Sequence, residues 1–209
     1  EFLANMSHDI RTPMNAIVGM TAIAAAHIDD RKQVENCLRK ITLSSKHLLG
    51  LINDVLDMSK IESGKLTLTT EQISLKEVVE GIVNIMQPQV KTKKQTFDIH
   101  VENILTENVW CDGVRLNQVL LNLLSNATKY TPEGGSIHLS LFEENSPKGE
   151  RYVRIYIKVK DNGIGMSPDF LKRIYESYSR ADGARIHKTE GAGLGMAITK
   201  YIVDAMEGT

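Results

Sequence analysis

The chain has 209 residues, of which 42% are hydrophobic and 24% charged, and its 25 basic and 26 acidic residues leave a formal net charge of -1. These values are ordinary for a soluble globular protein of one large or two modest domains. The balanced charge argues against nucleic acid as a partner. Cys37 and Cys111 have no further cysteines at metal-ligand spacing, so we expect two buried thiols in a reducing cytoplasm.

The chain lacks a membrane-spanning pattern, because no apolar run approaches the length of a bilayer span and no signal peptide opens the sequence. The first residues already continue a helical pattern, and the last helical pattern stops at Gly208-Thr209. We therefore expect a piece of a longer protein, which leaves a membrane anchor elsewhere in that protein open.

The first sixty residues show two long helical patterns separated by the polar residues 29–32. In the first pattern Pro13 takes an inner heptad position, where it should kink the helix. The second pattern repeats every seven residues along two seams, formed by Val34, Ile41, Leu48, Val55, Cys37, Ser44, Leu51 and Met58 and widened by Leu38 and Ile52. Because a two-helix hairpin cannot cover such a stripe, we predict that two copies form a four-helix bundle, as a homodimer.

Ser63-Gly64 ends the helical pattern, and we predict a linker over 63–72 and a second domain over 73–209, after a first domain over 1–62. Ser74 and Glu77 form a capping box that opens a helix. Alternating apolar residues predict strands at 97–101, 137–141 and 153–159, the last two as an antiparallel hairpin, and helices at about 113–130, 168–176 and 193–206. We expect an α/β sandwich, a mixed sheet with helices on one face.

The helix that begins after Asp112, a plausible N-cap, carries an unusual polar face. Within one narrow sector lie Arg115, Asn122, Asn126 and Lys129. Carboxamide oxygens are hard ligands suited to Mg²⁺, and a lysine ammonium can neutralise phosphate charge. A solvated polar face is the default on an amphipathic helix, so this pattern alone does not indicate a site.

Two glycine-rich segments change that interpretation. Asp161-Asn162-Gly163-Ile164-Gly165 ends a strand in a carboxylate, which can accept a hydrogen bond from an exocyclic amine such as that of adenine. Gly191-Ala192-Gly193-Leu194-Gly195 precedes a helix, whose free N–H groups suit phosphate. Each segment is weak evidence alone, but their order after the asparagine-rich helix predicts a nucleotide site.

In this order the segments resemble the N-box and the two glycine boxes of the ATP-binding domain of two-component sensor histidine kinases, a fold shared with gyrase and mismatch-repair ATPases. The resemblance implies that Asn126 binds Mg²⁺ with help from Asn122, that Lys129 contacts phosphate, that Tyr130 flanks the nucleotide and that Asp161 recognises adenine. The ATP site that it implies also includes Gly163, Gly165, Gly191, Gly193, Leu194 and Gly195.

The segment over 174–190 is similar in position to the family's Phe-rich box and ATP lid. The chain departs from the family pattern twice: Ser177 replaces a proline of the Phe-rich box, and Ala192 of the second glycine segment stands where a threonine is frequent. Three cations of this lid can meet the phosphates, or equally be solvated surface charges: Arg180, Arg185 and Lys188.

The family's terminal pair of strands does not follow the last helix, so we expect a C-terminally truncated domain.

The first domain contains Ser7-His8-Asp9-Ile10-Arg11-Thr12-Pro13-Met14, which closely resembles the kinases' H-box. The heptad places His8 on the outside of the bundle, beside Asp9. A neutral imidazole is a competent nucleophile, and an adjacent carboxylate can orient its ring. A lone surface histidine is usually incidental, and we interpret five others so: His27, His47, His100, His138 and His187.

The resemblance implies a protein-histidine kinase that autophosphorylates His8 with Mg²⁺-ATP and passes the phosphoryl group to an aspartate of a response regulator receiver domain. It also implies that Asp9 and Thr12 can support receiver dephosphorylation, and the H-box is in the style of hybrid kinases. Two alternatives are weaker. ATP hydrolysis of the gyrase type requires a glutamate that 115–118 lack, and a non-catalytic scaffold does not require Asn126, Lys129 and Asp161.

Overall fold

A computed structural model describes residues 2–179 and 193–209, with side chains described from Met6 onward. By its internal contacts the chain divides into two compact units. One unit contains the described residues up to Leu66 and those within Ile174–Ile198, and the other contains Thr67–Arg173 and Thr199–Thr209. The division into domains at 62 and 73 stays a prediction.

The first unit is built on a helical hairpin. Helix α1 spans Phe2–Ala26 and helix α2 spans Arg31–Glu62, which confirms the two predicted helices and the break between them. The Asp30 carboxylate accepts a hydrogen bond from the backbone N–H of Gln33 at 3.0 Å and so caps α2. The helix ends at the predicted place, where Gly64 has a φ of +65°.

The predicted heptad seams of α2 face inward. Cys37 and Leu51 are buried, and the remaining seam positions are half-buried. Leu38 and Ile52, which were expected to widen the stripe, are 54% and 41% exposed. The hairpin also exposes further large apolar side chains, namely Met14, Val18, Ile23, Leu43, Leu49 and Leu56. A single hairpin thus leaves a broad apolar surface uncovered.

The second unit contains the sheet. Its strands are β1 (Glu71–Ser74), β2 (Thr96–Glu102), β3 (Asn108–Cys111), β4 (Ser136–Asn145) and β5 (Val153–Asp161). β2 pairs parallel with β4, and β4 pairs antiparallel with β5, which confirms the predicted mixed sheet and hairpin. β1 and β3 form a separate antiparallel pair that the sequence did not predict. β1 begins inside the predicted linker. It was not predicted, because a strand of four residues is too short to show a period.

Among the described residues four helices follow α2, namely α3 (Leu75–Thr92), α4 (Gly113–Tyr130), α5 (Pro168–Arg173) and α6 (Gly195–Ala205). Ser74 caps α3 and Asp112 caps α4, as predicted, by accepting from the backbone N–H of Glu77 at 3.2 Å and of Arg115 at 3.0 Å. α6 begins two residues later than predicted, because Gly193 has a φ of +71° that a right-handed helix excludes.

The core of the second unit lies between the sheet and two helices. α3 and α4 cover one face of the sheet, as expected for an α/β sandwich. The most buried side chains of this core are Ile82, Met86, Leu120, Leu124, Ala127, Ile137, Leu139 and Leu141. The apolar side of α4 is therefore fixed against the sheet, and the polar side of the same helix is held in a defined orientation.

Candidate functional site

His8 lies on an exposed face of α1. Its side chain is 78% exposed, and its Nδ1 lies 3.3 Å from the Oδ1 of Asp9, whose side chain is only 19% exposed. The Thr12 hydroxyl, one turn later, donates to the His8 carbonyl oxygen at 3.1 Å. We infer from this contact that Nδ1 carries the hydrogen and directs it at the carboxylate, which leaves the nucleophilic lone pair on Nε2.

A titratable cluster on α2 was missed in the sequence. Asp57 is buried. The pKa of Asp54 is raised from 3.8 to about 6 by the burial of its own carboxyl group and by the charge of Asp57, against an opposing effect of His47. The three residues are spaced by three and seven positions, so they share one face of the helix. These residues are not recognised from the heptad repeat, because that repeat is defined by apolar positions only.

The polar face of α4 has its own contacts. Asn122, Asn126, Lys129 and Tyr130 are all half-buried. The Asn122 amide nitrogen donates to the Thr199 hydroxyl on α6 at 3.4 Å. The Lys129 ammonium lies 4.9 Å from the centre of the Tyr130 ring, within cation–π range. Both asparagines and the lysine thus occur on one side of a helix that is otherwise packed on the sheet.

Arg115 lies in the same sector at the other end of α4. Its guanidinium donates to the Gln118 side chain at 2.7 Å, a contact one turn along the same helix. The predicted polar sector is therefore a helical face in the structure, with Arg115 engaged at its amino-terminal end and the two asparagines and Lys129 toward its carboxyl-terminal end.

The first glycine segment is joined to the carboxyl-terminal end of α4. Ile164 donates its backbone N–H to the Tyr130 carbonyl oxygen at 3.2 Å, and Gly163 donates to the Asp161 carboxylate at 2.9 Å. A Cβ on Gly163 would lie 2.5 Å from the Tyr130 carbonyl oxygen, so no side chain fits there. Gly165 has a φ of +67° and open space around it. Backbone contacts thus hold the loop that follows Asp161 against the carboxyl-terminal end of α4.

Asn162, between the two predicted positions, has a contact that the motif did not reveal. Its side-chain oxygen accepts from the backbone N–H of Ser136 at 2.8 Å and ties the loop to the start of β4. An asparagine in a turn often bonds to nearby backbone, and that local tendency could have indicated this role. Thr199 offered no such signal, because its partner Asn122 stands 77 residues away.

The second glycine segment precedes α6. Gly193 accepts from the backbone N–H of Tyr178 at 3.0 Å, and a Cβ on Gly193 would lie 2.9 Å from the Ser179 carbonyl oxygen. Leu194 is buried, and α6 begins at Gly195. The hydroxyl of Ser177 lies 3.7 Å from the Met58 sulfur. Six residues named from the sequence lie outside the described ranges, namely Arg180, Arg185, His187, Lys188, Gly191 and Ala192.

The chemistry of these side chains fits Mg²⁺ and a nucleoside triphosphate. Within 2–179 and 193–209 no group of three histidine, cysteine, aspartate or glutamate side chains is arranged to hold a metal ion. Carboxamide oxygens, such as those of Asn122 and Asn126, are hard ligands of the kind that Mg²⁺ accepts beside phosphate and water oxygens. None of the described helices has both the length and the apolar character to cross a bilayer.

Comparison with known proteins relates two ranges of the chain to described families. Residues 1–64 match the family described as His Kinase A (phospho-acceptor) domain, and residues 111–209 match the family described as Histidine kinase-, DNA gyrase B-, and HSP90-like ATPase. The sensory/regulatory protein RpfC of Xanthomonas campestris pv. campestris is 39% identical over 209 residues, which are all of this chain and 28% of RpfC.

Two solved structures have a similar fold. Full-length ShkA in complex with AMPPNP is 29% identical with a TM-score of 0.68, over 99% of this chain and 41% of that chain. Histidine kinase ThkA in complex with the response regulator protein TrrA has a TM-score of 0.60 over 99% of this chain and 55% of that chain, and at 21% identity it shows the fold alone.

The chain spans about a quarter of the length of its curated relative, since it covers 28% of RpfC. Within that span the two matched families stand in a fixed order, the phospho-acceptor domain first and the ATPase domain second. This order agrees with the exposed imidazole on the hairpin and with the glycine loop and carboxamides of the second unit. The chain therefore belongs to the two-component histidine kinases and comprises the two-domain core of such a kinase.

Proposed function

We propose that the chain transfers the γ-phosphoryl group of ATP to Nε2 of His8. The observation that carries this proposal is the His8 imidazole, 78% exposed with Nδ1 at 3.3 Å from the Asp9 carboxylate. In the transfer a P–N bond to Nε2 forms as the bond to the ADP oxygen breaks, and ADP leaves. The Asp9 carboxylate orients the ring and stabilises the positive charge that the imidazole gains.

We assign roles in ATP binding to the residues around the first glycine loop. Asp161 is the acceptor for the adenine amine, and Lys129 contacts phosphate beside Tyr130. Asn126, assisted by Asn122, is the ligand for Mg²⁺, which when bound neutralises charge on the triphosphate. Support comes from the ATPase family that residues 111–209 match and from the fit of the carboxamides to a hard cation.

The proposed reaction needs the two domains to approach and separate. We assign residues 1–62 to dimerisation and phosphoacceptance, 63–72 to a linker and 73–209 to ATP binding. The linker has to bring the nucleotide to His8 and then free His8 for the next reactant. Within this linker the six residues from Lys65 to Thr70 form neither helix nor strand, which supports such a movement.

We propose that phospho-His8 then donates its phosphoryl group to an aspartate of a response regulator receiver domain, and that this relay operates in the cytoplasm. The fold relative ThkA is in complex with a response regulator, which supports such a partner. Thr12 bonds to the His8 carbonyl oxygen one turn away, and Asp9 adjoins His8. To these two side chains we assign the orientation of water for receiver dephosphorylation, a second proposed activity of the same face.

The exposed apolar surface of the hairpin supports a homodimer. Leu43 and Leu49 are 62% and 59% exposed in the single chain, and a second hairpin of the same sequence would cover such a surface in a four-helix bundle. We expect sedimentation to show a dimer at micromolar concentration, and Leu49→Lys to shift it toward monomer. A stable wild-type monomer at that concentration would refute the bundle.

Substitution of His8 tests the central proposal. We expect His8→Gln to abolish the acid-labile, base-stable labelling of the protein by γ-labelled ATP, with nucleotide affinity unchanged. His27→Gln is the matched control, since His27 is another exposed histidine near the end of α1, where its Nδ1 lies 3.0 Å from the Ile23 carbonyl oxygen. Labelling that survives in His8→Gln would place the acceptor elsewhere.

A further inference from the structure

A short connection between α3 and β2 lies against the carboxyl-terminal end of α4. Lys93 donates from its ammonium to the carbonyl oxygens of Thr128 at 2.7 Å and Lys129 at 3.0 Å. Gln95 donates from its amide nitrogen to the carbonyl oxygens of Thr128 at 3.0 Å and Thr131 at 2.7 Å. The same amide nitrogen also donates to the Pro132 carbonyl oxygen at 3.4 Å, so two side chains from one loop bind four carbonyl groups between residues 128 and 132.

The carbonyls of Thr128 and Lys129 belong to the last turn of α4, which leaves such groups without intrahelical partners, and they carry the negative end of the helix dipole. A lysine ammonium is therefore a favourable partner for them. Gln95 is only 8% exposed and Lys93 is half-buried, so solvent competes weakly for these bonds. The loop fixes where α4 ends.

The same helix end determines the position of the first glycine loop. Tyr130, between the clamped carbonyls, accepts the backbone N–H of Ile164 at 3.2 Å, and its carbonyl oxygen limits the space at Gly163. A shift of this carbonyl would move the loop that carries Asp161. Lys129 would move with it, because its own carbonyl is one of the clamped groups.

We propose that Lys93 and Gln95 are positioning residues for ATP. They hold the end of α4, and through the Tyr130 carbonyl they hold the loop from Asp161 to Gly165, in the geometry that binds nucleotide. They act through α4, so they set ATP affinity and leave the transfer step to His8 nearly unchanged. This inference rests on the proposed nucleotide site of the same residues.

Lys93→Met tests the inference, because methionine keeps the aliphatic stem and removes the donors. Lys94→Met is the matched control, since Lys94 pairs with the Glu133 carboxylate at 2.7 Å on the surface, with both side chains largely exposed. We expect Lys93→Met to raise the Kd for ADP and the KM for ATP about tenfold and to change kcat less than about twofold. Lys94→Met should leave all three within about twofold of wild type.

Two further measurements separate positioning from a loss of folding. Lys93→Arg keeps a cationic donor and should restore the Kd to within about threefold of wild type. Hydrogen exchange at the Ile164 amide, measured without nucleotide, should be faster in Lys93→Met and unchanged in Lys94→Met. If Lys93→Met does not fold, Gln95→Asn, whose amide is one methylene too short for these carbonyls, is measured by the same criteria.

The outcomes are distinct. A folded Lys93→Met with wild-type ADP affinity overturns the inference, as does a fall in kcat at unchanged KM. If Lys93→Met does not fold, wild-type ADP affinity in Gln95→Asn overturns the inference equally. A wild-type chain that binds no ADP in the same titration refutes the proposed nucleotide site itself, so the two failures are recognised separately.

Discussion

Gly163→Ala should weaken nucleotide binding through a backbone clash. The added Cβ would lie 2.5 Å from the Tyr130 carbonyl oxygen and 2.8 Å from the Asp161 carboxylate, against about 3.3 Å or more for an ordinary contact of carbon with oxygen. The carboxylate can rotate away, but the carbonyl belongs to the end of α4. The loop therefore has to move by most of an ångström.

That movement affects two hydrogen bonds, from Ile164 to Tyr130 at 3.2 Å and from Gly163 to Asp161 at 2.9 Å. At about 1 kcal/mol each, their loss from the binding-competent loop amounts to roughly 2 kcal/mol, or about thirtyfold in the Kd for ADP. Titration calorimetry with ADP measures this change, and thermal unfolding without nucleotide shows whether the domain stays folded.

Two other glycines separate the clash from the general cost of a side chain. Gly165 has a φ of +67° with open space, so Gly165→Ala should cost only the left-handed conformation, about 1 kcal/mol or fivefold in affinity. Gly81, inside α3, also has open space, and Gly81→Ala should leave affinity unchanged and stabilise the helix by about 0.5–1 kcal/mol. A Gly163→Ala protein of normal stability that binds ADP like wild type would refute the reasoning.

Two further substitutions address stability. The pKa of Asp54 is raised to about 6, so the folded hairpin binds this proton more tightly than the unfolded chain, and stability falls as pH rises from about 4 to about 6. Asp54→Asn should therefore raise the free energy of unfolding at pH 8 by roughly 1 kcal/mol, a discounted value because the carboxyl stays partly solvated, and should leave it unchanged at pH 3.5. Equal effects in chemical denaturation at both pH values would contradict this origin. Asp112→Ala removes acceptors of the N–H groups of Arg115 at 3.0 Å and Thr69 at 2.8 Å and should cost roughly 2–3 kcal/mol in chemical denaturation. Asp112→Asn should recover part of it, and a loss as large as that of alanine would exclude the capping role.

The sequence predicted the elements whose pattern is long or locally capped. α2 has 32 residues with a strict heptad, and α4 has a capping aspartate and a clear apolar face, so both were found with nearly correct ends. β1 and β3 were missed, because four residues each give no measurable alternation and their pairing joins segments about forty residues apart.

In the candidate site, too, the sequence predicts local features and misses contacts between residues far apart in the chain. The predicted residues lie in contiguous motifs, where spacing along the chain gives proximity directly. Thr199, Lys93 and Gln95 contact α4 across sequence separations of 77, 35 and 33 residues, so only the fold brings them to it. Leu38 and Ile52 were assigned to the inner stripe, but a lone hairpin buries a narrower strip than the bundle for which that stripe was predicted.

In the proposed reaction, His8 and the nucleotide loop meet opposite physical requirements. His8 would have to be reached by two different reactants, and its imidazole is exposed and lies beside one adjacent carboxylate. The loop from Asp161 to Gly165 has to be ordered before ATP arrives, because ordering it on binding would reduce affinity, and main-chain contacts to α4 fix it. Substitutions at Asp9 should therefore change kcat with little effect on KM, whereas those at Gly163 should change KM first. A variant of Asp9 that altered only KM would show that this carboxylate serves nucleotide binding and does not act by orienting the imidazole.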